Sequence, residues 1–129
     1  MNWYRPCAYD AEQKHRFHRE ARKRLKHLAA ELGFPPGSYD LRSNLGGIAV
    51  SGEITLHHET VYIQLCQPAT GHDTGIMIRT CQGRRDYSGG RNHFEPLERL
   101  GDIPSLATRV REVLSVAGPS AGCRCRRPS

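Results

Sequence analysis

An α+β domain of order α-β-β-β-α, a three-stranded antiparallel sheet with two helices packed on one face, is the fold this sequence predicts. Three observations point to it. Apolar residues recur at helical spacing near the beginning, they alternate at strand spacing through the centre, and helical spacing returns before the end. At 129 residues and 14.5 kDa the chain has room for one ordinary domain, and its hydrophobic share of 37% is that of a folded protein. We read residues 1–118 as that domain and 119–129, with Arg124, Arg126 and Arg127, as a disordered basic tail.

The first helix carries Phe17, Ala21, Leu25, Leu28 and Leu32 on one face, at steps of four, four, three and four. Asp10 is a suitable N-cap, and Gly33 with Pro35-Pro36-Gly37 stops the helix. Alternation then sets in with Ile48, Val50, Ile54 and Leu56, continues with Val61, Ile63 and Leu65, and ends with Ile76 and Ile78. The first two runs lie so close that an antiparallel hairpin turning at His58-Glu59 is expected, which pairs His57 with Thr60, Thr55 with Tyr62, and Glu53 with Gln64. A further short strand at Tyr39–Arg42 is compatible with the pattern but not required by it. The second helix is expected over Ile103–Ser115, with Pro104 in its first turn, where a missing N–H costs nothing.

This element order, over about Asp10 to Ser115, resembles that of double-stranded RNA-binding domains. The chain departs from them in its short hairpin and in the start of its second helix, Asp102-Ile103-Pro104-Ser105, where they place lysines. The opening Met1-Asn2-Trp3-Tyr4-Arg5-Pro6-Cys7 and the stretch Gly83-Arg84-Arg85-Asp86-Tyr87-Ser88-Gly89-Gly90-Arg91-Asn92 also resemble small proteins of bacterial plasmids and integrative mobile elements. That resemblance implies a mobile-element setting, in which DNA handling and the blunting of host defences are common roles. It implies no active-site residues.

With 19 Lys+Arg against 13 Asp+Glu the chain carries a formal charge of +6, which excludes an acidic scaffold and favours a polyanionic partner. The charge is uneven. Residues 1–33 carry a net +4, residues 34–100 a net −1, and residues 101–129 a net +3. Along the first helix Lys14, Arg16, Arg19, Arg22, Lys23, Arg24 and Lys26 oppose only Glu12 and Glu20, with His15, His18 and His27 among them. Like charges three and four residues apart repel, so such a face gains from phosphates that neutralise it.

Two further surfaces stand out. Strand alternation puts Glu53, Thr55, His57, Tyr62, Gln64, Met77, Arg79 and Cys81 on the sheet face away from the helices, where Tyr62 could stack a base, Arg79 bind phosphate, or the whole face meet a protein. The Gly-Arg segment from Gly83 to Phe94 offers convergent backbone N–H groups, the forked donors of Arg84, Arg85 and Arg91, and Tyr87. It lacks the spacing of nucleotide-hydrolysing loops.

Catalysis is less well supported. A metal-assisted hydrolase could be centred on His57, His72, Asp73 and His93, but HExxH and CxxC are absent, and His57 and His58, adjacent in a strand, point to opposite faces. No cofactor or metal is expected. The function expected is non-enzymatic binding of nucleic acid or a nucleoprotein complex through Arg16, Arg19, Arg22, Lys23 and Lys26, with Arg84, Arg85, Tyr87 and Arg91 as a second cluster. The alternative is an inhibitor or anti-defence module that docks on a protein through Glu53, His57, Tyr62, Gln64 and Arg79. No apolar run approaches a membrane span and no secretory leader is legible. Five cysteines (Cys7, Cys66, Cys81, Cys123, Cys125) without disulfide-scaffold spacing fit a reducing compartment, so the expected location is the cytoplasm.

Overall fold

The computed structural model describes residues 11–44, 53–66, 75–83, 86 and 90–117. Its order is α1 (Ala11–Glu31), β1 (Tyr39–Asn44), β2 (Glu53–His58), β3 (Val61–Leu65), β4 (Ile76–Thr80), β5 (His93–Glu95), a 3-10 turn (Leu97–Gly101) and α2 (Ile103–Ala117). Each strand pairs antiparallel with the next, giving a five-stranded meander β1-β2-β3-β4-β5. The expected three-stranded sheet is therefore wrong, although the α+β class holds. The sheet gains a strand at each edge, which also separates the element order from that of double-stranded RNA-binding domains.

β1 extends the short strand that the pattern allowed at Tyr39–Arg42, β5 was not expected, and both have physical reasons to be faint in the sequence. β1 reads Tyr-Asp-Leu-Arg-Ser-Asn, an edge strand with a weak apolar alternation, and β5 has 3 residues, too few to show a period. The first stretch of the expected first strand, Ile48 and Val50, lies outside the described residues, as do Asp10 and the segment 118–129.

α1 ends as its glycine suggests. Gly33 takes φ 83°, its N–H bonds to the Ala30 carbonyl at 3.1 Å, and the Phe34 N–H bonds to the Ala29 carbonyl at 2.8 Å, the double closure of a Schellman cap. α2 is opened by Asp102, whose Oδ1 accepts the Ser105 N–H at 3.2 Å.

Phe17, Ala21, Leu25, Leu28 and Ala29 of α1 meet Leu106, Ala107, Val110 and Val113 of α2 and the inner residues Ile54, Leu56, Val61, Ile63, Leu65, Ile76 and Ile78 of the sheet in one buried cluster. The two helices lie side by side on a single sheet face, α1 over β2 and α2 over β4. Leu97 and Leu100 of the 3-10 turn close the core below α2. Gly75 is required there, because a Cβ would collide with the Leu97 side chain.

The central hairpin differs from expectation by two residues. Thr55 faces Gln64 and His57 faces Tyr62, so the turn is Glu59-Thr60 and not His58-Glu59. His58 Nδ1 accepts the Thr60 N–H at 3.2 Å and fixes that turn. Because the slip is even, every side chain keeps its expected face.

Candidate functional site

α1 presents more than half of its circumference to solvent. At 100° per residue its buried positions occupy one arc, and Arg22, His15, Lys26, Arg19, Lys23, Arg16 and His27 follow one another around an opposite arc of about 140°. All seven are exposed. Glu20 lies at the border of this arc and bonds Arg24 Nε at 3.0 Å, with Lys23 Nζ 3.8 Å away. Arg19, Arg22 and Lys26 make no ion pair or hydrogen bond among the described residues. These three cations form a surface that no acid among the described residues pairs with.

The outer face of the sheet uses similar side chains differently. Asp40, His57, Tyr62 and Arg79 form a row across β1, β2, β3 and β4, each opposite the next. The Arg79 guanidinium lies 4.4 Å from the centroid of the Tyr62 ring, and the edge of that ring pair is completed by His57 at 5.0 Å and 86°. From the neighbouring row Arg42 reaches Asp40 Oδ2 at 3.0 Å and His57 Nδ1 at 3.3 Å. A guanidinium only donates, so Nδ1 accepts, and the neutral ring carries its proton on Nε2.

His57 is 0% exposed, although it points away from the helices. The segment after β4 covers it. The Gly83 backbone lies against the ring and Asp86 is close enough to act on it electrostatically. Burial lowers the pKa of His57, Arg42 lowers it further, and the Gly83 carbonyl, Asp40 and Asp86 oppose them without prevailing. His57 thus stays neutral near neutral pH.

Asp86 also orders its own segment. Its Oδ2 accepts the Gln82 N–H at 2.9 Å, and its N–H bonds to the Gly83 carbonyl at 3.1 Å. Arg84, Arg85 and Tyr87 lie outside the described residues, and Arg91 is exposed. Gly83 sits on the outer face of the sheet and α1 on the inner one.

Of the five residues assigned to the sheet face, His57, Tyr62 and Arg79 belong to this internal cluster. Glu53 and Gln64 are half-buried outside it, Glu53 opposite Asn44 and Gln64 opposite Met77, which in turn faces the 48% exposed Phe94. Arg42 and Asp40 were not singled out from the sequence. Only recognition of β1 as a strand could have placed them beside His57.

Among the described residues the metal-assisted alternative is not brought together. His93 lies opposite Ile78 on the inner face, across the sheet from His57, so these two cannot share a metal ion. His72 and Asp73 lie outside the described residues, among which no three potential metal ligands converge. The Cys81 thiol contacts the His58 carbonyl at 3.1 Å as a donor, and burial pushes its pKa up, which makes it a poor nucleophile. Cys66 is held up likewise, by burial and then by Glu53. The two cysteines sit at opposite ends of the β3–β4 ladder, about 20 Å apart at strand rise. No helix among the described residues is long and apolar enough to cross a membrane.

Comparison of the chain with protein-family models, curated proteins and solved structures returned no match.

Proposed function

We propose that the protein binds nucleic acid, or a nucleoprotein complex, through the solvent face of α1. The observation that carries this reading is the exposed arc of α1, where Arg19, Arg22 and Lys26 have no counter-charge among the described residues. Each phosphate that meets one of these cations releases condensed counterions, and affinity follows without any reading of sequence. Arg16 and Lys23 widen the same surface. Arg91, which is exposed, is the described member of a second cluster with Arg84, Arg85 and Tyr87.

A protein-docking role remains the second reading, favoured by one observation, the exposed Phe94 beside Met77 on the outer face. Salt separates the two. Titration of labelled DNA and RNA, single- and double-stranded, should show affinity that falls steeply as salt rises, whereas an apolar protein interface is far less sensitive. No binding at low salt would remove the nucleic-acid reading and leave the Phe94 surface to be tested with protein partners.

A further inference from the structure

We infer that the ligand of α1 is the major groove of double-helical DNA. This rests on the nucleic-acid reading above and adds the shape of the polymer to it. The argument begins with the width of the cationic arc. A helix that tracked one phosphate strand would need a single row of cations, but here Arg22 lies on one flank and Arg16 and Lys23 on the other, about 100–120° apart around the axis. Arg19 and Lys26 occupy the crest between them, two turns and about 10.5 Å apart at 1.5 Å per residue. All five are exposed.

Two flanks and a crest match a groove. A helix about 10–12 Å across enters the major groove of B-form DNA, which is about 12 Å wide, with its flanks toward the phosphates of both strands and its crest toward the base edges. Long cationic side chains at the crest meet guanine O6 and N7, the acceptors that arginine and lysine read most often. In A-form RNA the major groove is too deep and narrow for side chains to read. A single strand presents one line of phosphates and relies on aromatic platforms. α1 exposes no Phe, Tyr or Trp for such a platform, since Phe17 is buried in the core, and Tyr62 on the sheet is covered by Arg79.

The test compares one sequence as a labelled DNA duplex, as an RNA duplex and as single-stranded DNA at the same moderate salt, then challenges the DNA complex with methyl green, which occupies the major groove, or distamycin, which occupies the minor. The DNA duplex is expected to bind about tenfold more tightly than either other form, as differences of a few contacts require. Methyl green should displace the protein and distamycin should not. Arg22→Ala and the pair Arg16→Ala/Lys23→Ala, on opposite flanks, should each weaken duplex binding, with unchanged circular dichroism showing that the fold is intact. Equal affinity for all three polymers, preference for RNA or single strands, or displacement by distamycin alone would overturn the groove assignment while salt-dependent binding kept the α1 reading. Failure to bind any polymer would remove both.

Discussion

The solvent face of α1 and the outer face of the sheet both carry arginine and histidine, yet the chain treats them in opposite ways. On the sheet, Arg42 serves Asp40 and His57, Arg79 lies on Tyr62, and His57 is enclosed completely. On α1, Arg19, Arg22 and Lys26 serve nothing within the described chain. Residue type alone does not mark a binding surface. A guanidinium engaged inside the fold contributes to stability, and one left in solvent without an acid beside it keeps its charge for a partner.

Substitutions should therefore separate affinity from stability. The largest effect is expected from Arg19→Ala/Arg22→Ala/Lys26→Ala, which should weaken DNA binding by about 100-fold, at about 1 kcal/mol for each lost cation near an anionic surface. Its thermal stability should stay close to wild type, because exposed substitutions change stability by about 0.5 kcal/mol or less each. Loss of folding in this variant would place these side chains in the structural account instead. His57→Ala should do the reverse. It should cost about 2–3 kcal/mol of unfolding free energy, through the cavity and the lost bond to Arg42, and leave affinity unchanged.

Acid sharpens the same contrast. The folded pKa of His57 lies below its ordinary 6.5, so the unfolded chain binds the proton more readily. The stability that His57 contributes is complete above pH 6.5 and is lost as pH falls through its lowered folded value. Burial raises the pKa of Glu95, but hydrogen bonds from Arg109 at 2.8 Å and Arg99 at 3.0 Å outweigh it and leave the pKa below 4.5, so its contribution disappears in a lower window. Denaturant titrations at pH 8, 6.5 and 5 should show a decline that His57→Gln removes. A decline of equal size in that variant would assign the acid response to other groups. The smallest effect is expected from Asp102→Ala, about 1 kcal/mol for an N-cap, with no change in binding because α2 carries none of the free cations.

Legibility in the sequence followed the strength of each periodic signal. α1, α2 and the three central strands each carry one clean apolar face, and its spacing announced them. β1 did not, since as an edge strand it alternates half-buried Leu41 and Tyr39 with Asp40 and Arg42, whose meaning lies in His57 on the next strand. The cationic face of α1 was legible because charge accumulates along a single helix. The sheet cluster was legible in part, since alternation put His57, Tyr62 and Arg79 on one face, but Asp86 reaches His57 through the segment after β4, and local spacing carries no record of such a return. Hairpin register was set by His58 capping Thr60, a contact between side chain and backbone that alternation does not encode.

The central claim is most directly tested by the number of ions released when the protein binds duplex DNA, read from the slope of log affinity against log salt for the wild type and for Arg19→Ala/Arg22→Ala/Lys26→Ala. At about 0.9 per phosphate contact, the account predicts a steep wild-type slope that becomes shallower by about 2.7 in the variant. Equal slopes in the two proteins would contradict it and move the binding surface away from α1.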